Sequence, residues 1–319
     1  MCNALQDGLP VCSRPFAKIA KDLNCDEKTV LQQTGELKNA GLIRRIRALI
    51  DYRALGKVST LIAAHIPEEH CQEVAEAVNS LEGVSHNYQR HHFYNLWFTL
   101  QVQTAAQIKA VLSNLSARFG IEFHSLPVKR FFKLDVRFDA EKETLHSCSD
   151  FCAPKGQAHR PAPVKLNANQ KLILSKLQND LELIAEPFDF LCSEALDKKD
   201  VLEIITELID KGVIRRIAAV VDHRKLGFVA NVLFCSKVPQ DRIVEAGNRL
   251  ARFTAVSHCY ERETFEDWPY NLFAMMHSPS MGRIQHVIDK FIEAEKIDSF
   301  ELLPTAAELK KQPVEHKFY

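Results

Sequence analysis

The chain contains no hydrophobic run approaching the about 20 apolar residues needed to cross a bilayer. Its first residues, Met1-Cys2-Asn3-Ala4, lack the basic and apolar regions of a secretory signal. Neither sign of charge is in excess: 41 Lys+Arg balance 41 Asp+Glu, so the formal net charge is zero. Bulk electrostatic attraction to nucleic acid is therefore missing. The nine cysteines are odd in number and scattered, which argues against a disulfide framework and for reduced thiols in the cytoplasm. The closest pair, Cys148 and Cys152, has no matching second pair, so no metal site is expected there. What remains is an ordinary globular composition, 46% hydrophobic and 26% charged over 319 residues, with material for several small cores.

The dominant feature of that material is repetition. The sixteen residues Gly41 to Gly56 return as Gly212 to Gly227 at an offset of 171, with 10 of 16 positions identical. Val84-Ser85-His86-Asn87-Tyr88-Gln89-Arg90 returns as Val256-Ser257-His258-Cys259-Tyr260-Glu261-Arg262 at offset 172. Tyr94-Asn95-Leu96 returns as Tyr270-Asn271-Leu272 at offset 176, so the second repeat carries four extra residues just before it. Leu126-Pro127 with Lys133 echoes Leu303-Pro304 with Lys310. The echoes keep their order, so the chain is a fused pair of homologous units, and a site built by the pair is expected.

Each unit divides again. Apolar residues at helical spacing run from Pro15 to Leu23, and Asp26 is placed as the N-cap of a second helix covering Val30 to Leu37. A β-rich stretch from Leu42 to Ile50 completes a winged helix-turn-helix. The second repeat gives the same outline, with a leading helix from Asn169, a helix from Asp197 to Ile209 and a wing from Val213 to Val221. In repeat one the leading helix is mostly missing, because Leu5-Gln6 aligns with Leu177-Gln178; either that domain is trimmed or the recorded start lies downstream of the real one. Strand, helix, strand, strand, helix, strand then follow in both halves, the pattern of a ferredoxin-like βαββαβ unit. The expected fold class is thus α+β, a tandem repeat of winged helix-turn-helix plus ferredoxin-like domain, with the two sheets packed face to face. The expected boundaries are 1–57 and 58–138 for repeat one, 139–166 for a linker containing Pro154, Gly156, Pro161 and Pro163, then 167–228 and 229–319 for repeat two.

Strand alternation places His86, Tyr88 and Arg90 on one face, and His258, Tyr260 and Arg262 likewise. A solvated sheet face would accommodate one such strand. Two copies point instead to a proton carrier, a hydrogen-bond donor and an anion anchor repeated in one site. The Arg44-Arg45 and Arg215-Arg216 pairs send one guanidinium to each face of their strands, and an inward one suits bidentate carboxylate or phosphate recognition. His91 and His92 in the first hairpin, and Glu263 to Trp268 in the longer second one, make the halves unequal.

A DNA-binding reading fits the architecture but not the surface. The helix from Asp26 to Asn39 and that from Asp197 to Asp210 contain no arginine, and the second is strongly acidic. Phosphate would repel it, and base edges would find few donors.

The winged helix plus ferredoxin-like unit resembles the Lrp/AsnC regulators, and the specific strings resemble the siroheme decarboxylases. Val84-Ser85-His86-Asn87-Tyr88, the run from His92 to Thr99 and the run from Phe132 to Asp139 are similar to the first subunit type. Asp222-His223-Arg224, Val256-Ser257-His258-Cys259-Tyr260 and Trp268-Pro269-Tyr270-Asn271-Leu272-Phe273 are similar to the second. His91 stands where an acidic residue is expected, and Ala306-Ala307-Glu308-Leu309 replaces the basic-aromatic run Lys129-Arg130-Phe131-Phe132. The resemblance implies loss of the acetate carboxylates at C12 and C18 of siroheme, in the alternative heme route or in synthesis of the heme of nitrite reductase. The macrocycle supplies the electron sink, so no cofactor beyond the iron-containing substrate is expected. His92, His258 and His86 are then the candidate proton donors or iron-facing contacts. Tyr94 and Tyr260 stand beside them as catalytic candidates. Arg45, Arg90, Arg216 and Arg262 are placed on carboxylates, with Tyr88, Trp268 and Tyr270 orienting or stacking. The implied partners are siroheme, the other repeat, and a further copy of the chain, with neither membrane nor DNA. A heme-binding sensor shares every one of these residues and stays open, as does a transcriptional regulator.

Overall fold

The computed structural model describes residues 1–134, 136–147 and 162–318. Repeat one begins with α1 (Cys2–Asp7), α2 (Pro15–Asp22), α3 (Glu27–Asn39) and β1 (Ile43–Ile50). Pro15 opens α2 at its first turn, where a missing N–H costs nothing. The Asp26 carboxylate accepts from the Thr29 N–H and caps α3 as expected, although the helix runs longer at both ends than its apolar core suggested. The ferredoxin-like unit follows as β2 (Val58–Ala64), α4 (Cys71–Ser80), β3 (Val84–Arg90), β4 (Leu96–Val102), α5 (Ala105–Phe119) and β5 (Phe123–Lys133). A hairpin of β6 (Val136–Asp139) and β7 (Thr144–Ser147) leads out of it. Repeat two supplies α6 (Ala168–Leu177), α7 (Lys198–Asp210), β8 (Ile214–Val221), β9 (Ala230–Ser236), α8 (Ile243–Ala251), β10 (Val256–Arg262), β11 (Leu272–Ser278), α9 (Met281–Glu295) and β12 (Phe300–Lys311). Among the described residues no helix is long and apolar enough to cross a membrane, and the seven described cysteines are free thiols.

The expected face-to-face stacking of two separate sheets is corrected. The eight strands of the two units close into one barrel, in the order β10-β11-β9-β12-β3-β4-β2-β5. The reason lies in β5 and β12, which at 11 and 12 residues are long enough to pair with both repeats. The first half of β5 pairs with β2 in its own repeat, and its second half pairs with β10 of the other. β12 does the same with β9 and then β3. Pro127 and Pro304 sit at the two changeovers, where a residue without an N–H is tolerated because the ladder changes partner there. Each sheet's open edges are thereby covered by the other repeat.

The strands after the two helix-turn-helix units also pair across the repeats. β1 and β8 form an antiparallel two-stranded ribbon, so neither wing folds back on a strand of its own repeat. One apolar core, including Leu5, Phe16, Val30, Ile46, Ile173, Leu177, Ile205 and Ile217, is shared by both helix-turn-helix units. Two further cores lie between each unit's helices and its own strands. A fourth, with Trp97, Leu126, Leu233, Trp268, Phe273 and Leu303, fills part of the barrel from both repeats. The linker expected from residue 139 is ordered at its start: Phe138 exchanges hydrogen bonds with the Gln6 side chain, and the Leu145 N–H donates to the Thr254 carbonyl. Cys148, Cys152, Pro154, Gly156 and Pro161 lie outside the described residues.

Candidate active site

The repeated strands β3 and β10 send their alternating side chains into the barrel, as their parity requires. Asn87 points the other way, toward α4, where its side chain donates to that of Asn79. Arg90 reaches across the repeats, donating from Nη1 to the Leu303 carbonyl at 2.5 Å and lying 3.3 Å from Thr305 Oγ1. Arg262 donates from Nη1 to the Leu126 carbonyl at 2.8 Å. Leu126 and Leu303 are themselves repeat counterparts, so the two contacts are related by the internal pseudo-symmetry. Each guanidinium also stands over its neighbouring tyrosine, Arg90 at 5.3 Å from the Tyr88 ring and Arg262 at 5.0 Å from that of Tyr260.

Burial dominates the electrostatics of this chamber. It drives the Arg90 pKa down to about 10, and lowers that of Arg262. Tyr88 is pushed up to about 12 by burial and by Glu308, against the pull of Arg90, Arg224 and Arg44. Tyr260 is raised by burial, with Arg262, Arg215 and Arg53 opposing. His86 is held down at about 4 by burial, then by the charges of Lys311 and His258. His258 stands with its Nδ1 at 2.9 Å from Ser257 Oγ, as His86 stands at 2.8 Å from Ser85 Oγ.

Three residues join this group that strand parity in β3 and β10 did not single out. His223, in the turn after β8, has Nδ1 3.2 Å from Lys311 Nζ. Its ring lies 4.7 Å from that of His277 on β11, and Phe138 packs on both. Burial lowers the His223 pKa to about 3 and holds His277 well below its ordinary value. The signal for His223 was present, because it replaces Tyr52 between the shared Asp51/Asp222 and Arg53/Arg224. Lys311 is the last residue of β12, beyond the apolar part of that strand.

The counterpart end of the chamber is different. Tyr52 takes the place of His223, and its pKa is raised, first by burial. Arg53 is held by Asp51 at 2.5 Å and lies 4.5 Å over the Phe131 ring, which in turn meets Tyr260 edge-on. The chamber is therefore pseudo-symmetric in backbone and unequal in chemistry.

The remaining candidates gather elsewhere. His92 Nδ1 accepts from the Tyr94 N–H at 2.9 Å, and its ring meets Trp268 edge-on at 5.4 Å. Trp268 is buried and also packs against Tyr94, Trp97 and Tyr270, while the Tyr270 hydroxyl is 3.3 Å from Glu301. His92, Tyr94, Trp268 and Tyr270 thus form one aromatic cluster at the hairpins. His86, Tyr88, Arg90, His258, Tyr260 and Arg262 form the chamber, while Tyr94, Trp268 and Tyr270 pack in one core with Trp97, Leu126, Phe273 and Leu303. Arg45 is exposed on β1, and Arg216 donates from Nε to the Gln6 carbonyl at 2.9 Å. Of each wing pair, it is the other member, Arg44 or Arg215, whose charge acts on Tyr88 or Tyr260. The shared Tyr-Asn-Leu string has a structural cause. Asn95 pairs its side-chain amide with both backbone groups of Ile66, and Asn271 does so with Val238, all at 2.8–2.9 Å.

Comparison with known proteins covers nearly the whole chain. Residues 54–133 and 225–310 match the AsnC-like ligand binding domain, and residues 2–44 match the siroheme decarboxylase NirDL-like HTH domain. A siroheme decarboxylase of Hydrogenobacter thermophilus is 34% identical over 98% of this chain and 92% of its own length. The siroheme decarboxylase NirD subunit of Pseudomonas aeruginosa is 38% identical, covering 43% of this chain and 90% of that subunit. The crystal structure of the siroheme decarboxylase NirDL in complex with an iron-uroporphyrin III analogue superposes with a TM-score of 0.73 at 30% identity, over 99% of this chain and 92% of that one.

Proposed function

The chain belongs to the siroheme decarboxylase family, and we propose from that premise that it is a carboxy-lyase. It removes the acetate carboxylates at C12 and C18 of siroheme and yields 12,18-didecarboxysiroheme and carbon dioxide. The observation that carries this reading is the barrel chamber, where two copies of a His-Tyr-Arg strand converge with His223, His277 and Lys311. A tetrapyrrole bearing eight carboxylates needs such cationic and imidazole donors inside an aromatic-lined cleft.

Breaking the bond between an acetate methylene and its carboxylate leaves an electron pair, which the macrocycle accepts as carbon dioxide departs. One proton must then reach the carbon to make a methyl group. His86 and His258 are placed to serve that step from inside the chamber, with Tyr260 beside His258. His92 and Tyr94 serve it from the hairpin cluster if the substrate extends there. Arg90 and Arg262 hold carboxylates from within, helped by Lys311, Arg44 and Arg215, while Tyr88, Trp268 and Tyr270 orient the ring. No cofactor beyond the substrate's own iron is needed for this chemistry. Regulation of transcription is opposed by the surface of α7, whose Lys198 is already bound to Glu186 and Asp189 and whose Lys199 faces Glu203. The reduced thiols fit a cytoplasmic enzyme.

Anaerobic incubation with siroheme, followed by mass spectrometry of the tetrapyrrole, tests the proposal. Stepwise loss of two carbon dioxide units is expected. A Soret shift with unchanged mass would make the protein a heme-binding sensor instead.

A further inference from the structure

The two chamber histidines differ in what stands behind them. Ser257 Oγ donates to the Met275 carbonyl at 3.0 Å and lies 2.9 Å from His258 Nδ1. A hydroxyl has one hydrogen, and that one is committed to the carbonyl. The His258 proton therefore resides on Nδ1, donated to Ser257, and the ring's lone pair is on Nε2.

In repeat one the geometry is the same and the chemistry is not. Ser85 Oγ lies 2.8 Å from His86 Nδ1, but its second partner is Thr99 Oγ1, also at 2.8 Å. Thr99 is the counterpart of Met275 at the offset of 176 that relates Tyr94 to Tyr270. A carbonyl only accepts, whereas a hydroxyl both donates and accepts. The series Thr99–Ser85–His86 can consequently carry a proton in either direction, and the series Met275–Ser257–His258 cannot.

Resting on the siroheme decarboxylase reading, we propose that Thr99 and Ser85 form a hydroxyl relay behind His86, that His86 protonates the substrate carbon, and that His258, fixed in one tautomer, turns its Nε2 lone pair to the iron-bearing macrocycle. As the carbon–carboxylate bond breaks, its electron pair enters the macrocycle and carbon dioxide leaves. His86 Nε2–H gives its proton to the carbon, Nδ1 takes the Ser85 proton, Ser85 takes that of Thr99, and half-buried Thr99 takes one from water. After product release Nε2 regains a proton from water and the hydroxyl series runs back. One proton is consumed per carbon dioxide, with no oxidant or reductant. The ring stays neutral throughout, which suits a site where burial, Lys311 and His258 all disfavour an imidazolium.

Thr99→Val keeps the side-chain shape and removes the relay hydroxyl. It is expected to lower kcat by about tenfold or more. The siroheme affinity read from Soret titration should hold within about twofold, because uniform binding is untouched. Rates in mixtures of light and heavy water should show a multi-proton dependence for the wild type and a single-proton one for Thr99→Val, with Thr99→Ser restoring both rate and dependence. Wild-type kcat in Thr99→Val overturns the relay. So does a single-proton dependence in the unmodified protein, a test that needs no variant to fold. Failure of the wild type to release carbon dioxide from siroheme would instead strike the functional reading on which the relay rests.

Discussion

The guanidinium of Arg90 donates to the carbonyl of Leu303 in the other repeat, 2.5 Å away. That contact, with its counterpart from Arg262 to Leu126, ties each half of the barrel to the strand that crosses over from the other. It also puts a charge in a place that burial makes expensive, as the lowered Arg90 pKa records. Two roles are therefore separable. If Arg90 chiefly clips the barrel, Arg90→Met should lower the melting temperature, because the Leu303 carbonyl loses its donor at a cost of about 1–3 kcal/mol. If it is kept for substrate carboxylates, relief of the buried charge offsets that loss. We expect the second: an unchanged or raised melting temperature in the free protein, and siroheme binding weakened by about tenfold or more, as befits a charged hydrogen bond. A lower melting temperature with intact affinity would assign Arg90 to the clip alone.

The chamber histidines give the free protein a pH signature. His86 and His223 have folded pKa values of about 4 and about 3, and that of His277 is also depressed. In the unfolded chain a histidine titrates near about 6.5. Between that value and the folded ones the unfolded state binds protons that the folded state does not, so stability falls as pH falls. Each such histidine contributes about 1.4 kcal/mol per pH unit across its window. Urea midpoints measured from pH 7.5 down to about 5 should drop steadily. Bound tetrapyrrole carboxylates favour the imidazolium form, so the drop should be shallower in the complex. A flat profile in the free protein would mean that these rings are not neutral in the fold.

Packing between repeats sets a third expectation. A Cβ on Gly247 of α8 would sit 2.4 Å from ring atoms of Phe132 at the end of β5. Phe132 belongs to repeat one and packs on the core of repeat two, so the ring cannot retreat without disturbing the β5–β10 pairing beside it. Gly247→Ala should destabilise the protein by about 1–3 kcal/mol through overpacking, read as a lower urea midpoint. Phe132→Leu in the same chain should recover part of the loss.

Much of this organisation was legible in the sequence, for reasons that differ from element to element. The Asp26 cap of α3 was legible because a carboxylate there can accept from the Thr29 N–H. Strands β3 and β10 declared their inward faces by parity, and repetition singled that face out. The barrel closure was not legible. After Leu126 and Leu303 the sequence stops alternating cleanly, because those halves of β5 and β12 pair with strands of the other repeat and pack on its core, through Phe132 and Leu309. Lys311 and Phe131 were lost with them. Parity in β1 and β8 could not say which arginine of each pair acts on the chamber tyrosines, since the ribbon has register shifts at Ile43/Arg45 and Leu49/Ile50. His223 was visible as a departure from the repeat and within the Asp222-His223-Arg224 string, but neither signal placed it beside His277.

That departure supports the last prediction. His223, Lys311 and His277 occupy one end of the chamber, and their repeat counterparts are Tyr52, Leu134 and Gln101. The first set can present a cation and two imidazoles to a carboxylate. The second presents a phenol raised by burial, an apolar side chain and a neutral amide. If one macrocycle lies across the chamber, its acetate-bearing edge belongs at the His223 end, where the Lys311 cation stands beside His223 and is paired in register with His86. His223→Gln should weaken siroheme binding and slow decarboxylation together, lowering kcat/KM by about tenfold or more. Tyr52→Phe should change it by less than about threefold, as expected for loss of one hydroxyl outside the reacting edge. Equal losses in the two variants would show that both ends of the barrel work alike, and that the divergence of the repeats carries no division of labour.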